Sequence, residues 1–163
     1  MNDLVLRQAI TADLTDEARS KLAALAGWPL GKAASRAQRE HGWSDRRRRA
    51  NERGYRQFLA LVALYPERQF GMVQGGVDEL WHAHLLDTVE YQRMCREVFG
   101  QMVHHCPRDE DEPDETAGSA YRETTLPALK RVFGVRPGTT WPANEPASAV
   151  SKCCNHLGDV LAA

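Results

Sequence analysis

The sequence predicts an all-α fold, a single compact helical domain with a long central helix and an acidic exposed loop. Three observations predict it. Apolar residues recur at helical spacing in several segments, those segments stop at glycine or proline, and no segment alternates as a half-buried strand does. The chain of 163 residues is long enough for one real core and short for two, so residues 1–163 are taken as one domain with a core module at about 44–142.

The first helix is expected over residues 15–26 (TDEARSKLAALA), where Thr15 can cap, acids fill the first turn and Gly27 follows. Trp28 and Pro29 break it. Residues 31–41 read as a short polar helix closed by Gly42. A longer helix starts at Ser44, another capping hydroxyl, and runs to Tyr65, because Pro66 forbids its continuation. Its first half is arginine, asparagine and glutamate, so burial should begin only near Tyr55.

Residues 66–76 (PERQFGMVQGG) read as a loop, and residues 77–99 as the long central helix, ended by Gly100. Residues 108–119 (RDEDEPDETAGS) have the composition of an exposed acidic loop. Helical spacing resumes over 121–133 and stops at Gly134. The tail, 148–163, is the least defined segment, and a last helix could occupy 148–161.

Composition and charge exclude several functions. The longest strongly apolar run, FLALVALY at 58–65, has eight residues, whereas a spanning helix needs about 20, so no membrane partner is expected. The N-terminal residues lack the basic, apolar and small-residue order of a signal peptide, which points to the cytoplasm, where the four cysteines would stay reduced. Residues 36–56 hold eight arginines against three acids, and residues 108–115 hold six acids against one arginine, yet the net charge is −1. A nucleic-acid binder would carry a basic excess over the domain, so a nucleic-acid partner is not expected. There is no GxSxG, and GMVQGG lacks the lysine of a phosphate-binding loop.

Four of the six histidines, His82, His84, His104 and His105, fall close together with Asp78, Cys95 and Cys106. Imidazole, carboxylate and thiolate are the ligands of first-row metals. On a helix, Asp78 and His82 share a face at four residues' spacing, whereas His82 and His84 lie about 200° apart and cannot hold one ion together. Gly100 lets the chain turn, so that His104 or His105 can fold back toward Asp78 and His82, one inward and the other outward. The candidate metal ligands are therefore Asp78, His82, His104 and His105, for zinc or iron. Trp81, His84, Tyr91, Cys95 and Cys106 stand as groups behind the ligands or as recognition groups. The competing account is a metal-free polar network, with Asp78 and His82 hydrogen-bonded beside Trp81. A closed zinc site joining His104, His105 or Cys106 to Cys153, Cys154 or His156 is a further option without a standard spacing.

The strings YRQFLALVALYP, VDELWHAHLLDTVEYQRMCREVFG and VHHCP resemble bacterial relatives of the plant glycine-rich domain proteins, whose shared module carries a D-x-x-W-H-x-H signature. VFGVRPGTTWP is similar too. The resemblance covers about residues 55–142 and puts Asp78, Trp81, His82, His84, Tyr91 and Cys95 on matching positions. The 12 glycines are scattered, so no role tied to a glycine-rich tract carries over. Two functions are expected. One is a helical module that recognises a protein or peptide through the surface around Trp81 and the histidines of residues 78–106. The alternative is a metal-dependent enzyme that activates water or substrate at a His/Asp site.

Overall fold

Local sequence fixes the first four helices of the computed structural model, which describes residues 4–107, 120–143 and 150–158; for residues 73, 106–107 and 150–158 only the backbone element is described. Helix α1 (Gln8–Ala12) is a single turn, held to the last helix among the described residues by the hydrogen bond from the Arg7 amide to the Val132 carbonyl, 2.8 Å. Helix α2 (Asp16–Gly27) starts where Thr15 accepts the Ala18 amide at 3.1 Å. Helix α3 (Gly31–His41) ends at Gly42, whose φ of 63° is open to glycine at no steric cost. Helix α4 (Asp45–Leu64) starts where Ser44 accepts the Arg47 amide at 3.2 Å.

Burial along α4 follows the sequence pattern, with Tyr55, Phe58, Leu59, Ala60, Leu61 and Val62 in the core. Arg56 is buried among them, and its guanidinium donates to the Leu25 carbonyl at 2.5 Å and the Trp28 carbonyl at 2.7 Å. A cation thereby meets the negative end of α2, where the last carbonyls lack helical partners. Asn51 is buried one turn earlier than the expected boundary.

The expected long central helix is instead two helices with a corner between them. Helix α5 spans Val77–Leu85 and α6 spans Thr88–Met94, continued by a π turn, Cys95–Phe99. Asp87, at φ −95° and ψ 71°, leaves helical geometry. The reason lies in what the corner brings together. In a straight helix, Trp81 and Tyr91 would stand about 15 Å apart along the axis. Here Trp81 Nε1 donates to the Tyr91 hydroxyl at 3.0 Å, and that hydroxyl donates to the Val103 carbonyl at 2.5 Å. All three residues are buried. An ion pair between Lys32 and Asp87 pins the corner itself to α3.

The domain is helical as expected, with one addition the sequence pattern conceals. Strands β1 (Gly71–Val73), β2 (Met102–Pro107) and β3 (Val150–Gly158) form a small antiparallel sheet in the order β1-β3-β2. The tail is therefore a strand and not the last helix allowed for it. β3 pairs with β2 from Met102 opposite Gly158 to Pro107 opposite Cys153, and the loop expected at 66–76 contains β1. Three residues are too few for alternation to be read, and two adjacent histidines hide it in β2. A π turn, Ala120–Thr125, leads into α7 (Leu126–Phe133), where Pro127 sits in the first turn and needs no helical partner for its missing N–H. The acidic loop at 108–119 lies outside the described residues. Among the described residues no helix is long and apolar enough to cross a membrane.

The Tyr91 hydroxyl is the test of this arrangement. Tyr91→Phe leaves the Trp81 N–H and the Val103 carbonyl buried without it, so urea unfolding should show a loss of about 1–3 kcal/mol. A loss below about 0.5 kcal/mol would mean that the hydroxyl does not tie the corner to β2.

Candidate metal centre

Two elements build the site. Helix α5 presents Asp78 and His82 on one face, one turn apart, and β2 crosses that face with His105. His82 Nε2 stands 2.8 Å from His105 Nε2, and His82 Nδ1 stands 3.7 Å from Asp78 Oδ2. One ligand atom from each of the three lies within 4.8 Å of the other two. Asp78 is buried, His105 half-buried, and the His82 side chain 48% exposed, so the cluster opens to solvent on the His82 side. His105 also meets Trp81 edge to face, with ring centroids 4.7 Å apart.

The electrostatics favour a neutral His105. Burial, and then the neighbouring His82, push its pKa down to about 4. A hydrogen bond with its own backbone works the other way. Nε2, which faces His82, is the His105 nitrogen placed to give a lone pair to a shared ion. Two imidazole nitrogens at 2.8 Å hold either one hydrogen bond or, with a small opening, an ion. Zinc–nitrogen bonds of about 2.0–2.1 Å in tetrahedral geometry put two such nitrogens about 3.3 Å apart.

Of the residues read from sequence, Asp78, His82 and His105 come together and His104 does not. In a strand successive side chains alternate, so His104 takes the face opposite His105. Trp81 is fully buried, which corrects its expected place on a recognition surface. His84 turns away from His82, as their spacing requires, into a buried network: Tyr55 Oη lies 3.0 Å from His84 Nδ1, and His84 Nε2 pairs with Glu90 Oε2. Glu90 Oε1 accepts from Trp28 Nε1 at 2.6 Å. Burial lowers the His84 pKa while Glu90 opposes it, which suits a neutral ring donating to Glu90 and accepting from Tyr55. His84 and Tyr55 are both buried, and Glu90 is the partly exposed member of this network.

Tyr91 ties Trp81 and β2 in place behind the cluster. Cys95 is buried, and desolvation pushes its thiol pKa up, so it packs as an inert side chain. Cys106 has a backbone position in β2 opposite Cys154, but its side chain, like those of Cys153, Cys154 and His156, lies outside the described residues. The closed zinc option that uses them lies there too. Sequence reading missed Tyr55 and Glu90. Glu90 is six residues from His84, and only the corner at Asp87 lets the two meet.

The UCP032817-like family profile matches residues 19–126, two thirds of the chain. The chain belongs to the UCP032817-like family. The matched stretch runs from within α2 to the first residue of α7 and includes all three residues of the cluster. No curated protein and no solved structure matches the chain.

His105 makes the site visible in the pH dependence of folding. A histidine whose pKa is depressed in the fold refuses a proton that the unfolded chain accepts, so stability is full above about pH 6.5 and falls as pH drops toward about 4. In metal-free protein, thermal melts across that window should decline less steeply for His105→Gln than for the unaltered chain. Parallel declines would show that His105 is not held neutral by the fold.

Proposed function

We propose that Asp78, His82 and His105 hold a divalent first-row metal, zinc or iron, and that the UCP032817-like chain is a metal-dependent enzyme acting on water or substrate at that site. The observation that carries this reading is the convergence of two imidazole nitrogens and a carboxylate, from two different elements, within 4.8 Å at an exposed edge. Structural zinc sites close with four protein ligands, whereas catalytic ones keep a position open. Three protein ligands beside an exposed His82 fit the second pattern.

The ligand set does what a bound metal requires. Asp78 is buried at the first turn of α5, where the helix N-terminus complements negative charge. His105 is held neutral, ready to donate its lone pair. A metal bound there would supply Lewis acidity and lower the pKa of a coordinated water. Residues around the cluster hold it rigid: Trp81 backs His105, and Tyr91 fixes Trp81. The resemblance to the glycine-rich domain proteins rests on the same motif and names no reaction.

A second reading, recognition of a protein or peptide, draws on a different surface. Leu86 and Val89, at the corner between α5 and α6, are 62% and 79% exposed. An apolar pair at a rigid corner suits a peptide contact, and it replaces the buried Trp81 as the group to alter.

Elemental analysis separates the two readings. Purified protein, or protein loaded with zinc or iron and desalted, should carry about one equivalent of metal. His82→Ala and His105→Ala should each weaken retention at least about tenfold with the helical spectrum unchanged. No uptake by the unaltered chain, or equal uptake by a His82→Ala/His105→Ala double variant, contradicts the metal reading and leaves recognition at Leu86 and Val89.

A further inference from the structure

The arginine run at 46–49 has no part in the metal cluster, and two of its members border a cavity. This cavity, of about 440 Å³, is bounded by the first half of α4, the Gln74–Gly75–Gly76 turn before α5, and residues 139–142. We propose that it binds the oxyanion of a small organic molecule, a phosphate ester or a carboxylate.

Four observations carry this. The first is charge: Arg46 and Arg47 line the cavity and no carboxylate does. Among the described residues neither guanidinium has a side-chain partner, although Arg48 next to them pairs with Glu52 at 2.7 Å. Nearby acids are engaged elsewhere. Asp45 accepts from Gln38 Nε2 at 2.9 Å, while Glu79 takes the Gly76 amide at 2.8 Å and stands 3.2 Å from His41 Nδ1.

The second observation is a buried donor without a partner among the described residues. Asn51 lines the cavity and is 3% exposed, and its Nδ2 has no hydrogen-bond partner among the described residues. Native proteins leave few such groups unpaired, and the usual remedies are a bound water or a ligand. An anion needs donors, and Asn51 would offer one beside Arg46 and Arg47, all three of which line the cavity. Guanidinium forks suit carboxylate and phosphate oxygens.

Third, the walls are built close and fixed. A Cβ at Gly76, already at φ 52°, would stand 3.0 Å from Asn51 Oδ1, so the turn backbone lies directly on the amide. A Cβ at Gly54 would stand 2.7 Å from side-chain carbons of both Thr140 and Val77, so only glycine lets the 139–142 segment and the start of α5 approach α4 this closely. Trp141 Nε1 donates to Gln57 Oε1 at 3.2 Å, and the Tyr121 hydroxyl donates to the Pro142 carbonyl at 2.8 Å, which anchors that wall. Fourth, the volume falls within the range of about 300–1,000 Å³ typical of small-molecule sites, well beyond what a lone chloride fills.

The test is a nitrogen-15 NMR titration of the whole metal-free chain with sodium phosphate, sodium pyrophosphate and sodium citrate, with sodium chloride holding ionic strength constant. Saturable shifts of the Asn51 side-chain amide and the Gly76 backbone amide are expected with at least one probe, and the probe that saturates at the lowest concentration distinguishes phosphate from carboxylate. Arg46→Gln/Arg47→Gln, at exposed positions, should raise the dissociation constant at least about tenfold. Asn51→Asp, which exchanges the donor for a carboxylate, should abolish binding. Shifts that do not saturate, that chloride reproduces, or that persist unchanged in the double arginine variant would overturn the proposal. This outcome is independent of whether the histidine cluster holds a metal.

Discussion

The hydroxyl of Tyr91 is the junction on which the site depends. It accepts from Trp81 on α5 and donates to the Val103 carbonyl on β2. One oxygen therefore fixes three elements: the helix that carries Asp78 and His82, the helix that carries Tyr91 itself, and the strand that carries His105. All of its partners are buried, where a polar group without a partner is costly, so the junction has one satisfactory arrangement. Two residues beyond Val103 in the strand, His105 falls on the same face and arrives beside His82. The corner at Asp87 exists to let Tyr91 turn back, and the same corner delivers Glu90 to His84.

Two alternations then sort the histidines. On α5, residues two apart point in nearly opposite directions, so His84 enters the core and His82 stays at the surface. On β2, neighbours point to opposite faces, so His105 joins His82 and His104 does not. The outcome is two polar systems on one short helix. The more buried one joins His84 to Tyr55, Glu90 and Trp28, and it ties α4, α5 and α6 to the end of α2. The exposed one, Asp78 with His82 and His105, combines metal-ligand chemistry with access to solvent. Burial alone separates a structural histidine from a candidate ligand two residues away.

Much of the helical frame was legible because local rules govern it. Thr15 and Ser44 cap as their positions require, Gly42, Gly100 and Gly134 end elements in the left-handed region, and α4 is buried from about Tyr55 onward. The Asp78–His82 pairing and the divergence of His82 from His84 also follow from helical spacing. The sheet was not legible: β1 is three residues long, and β3 finds its partners some fifty and eighty residues earlier in the chain. Nor was the break at Asp87, since no glycine or proline marks it and tertiary hydrogen bonds stabilise it. For the same reason helical spacing alone does not choose between His104 and His105, which the alternation of the strand decides, nor does it show that Trp81 is buried.

The central claim is that one face of α5 and one strand present an oxygen and two nitrogens to a single ion. X-ray absorption at the metal edge of the zinc- or iron-loaded chain tests it most directly. The account predicts a first coordination sphere of nitrogen and oxygen only, with the outer-shell scattering of two imidazoles, reduced to one in His105→Ala. A sphere containing sulfur, or one without imidazole scattering, would contradict it.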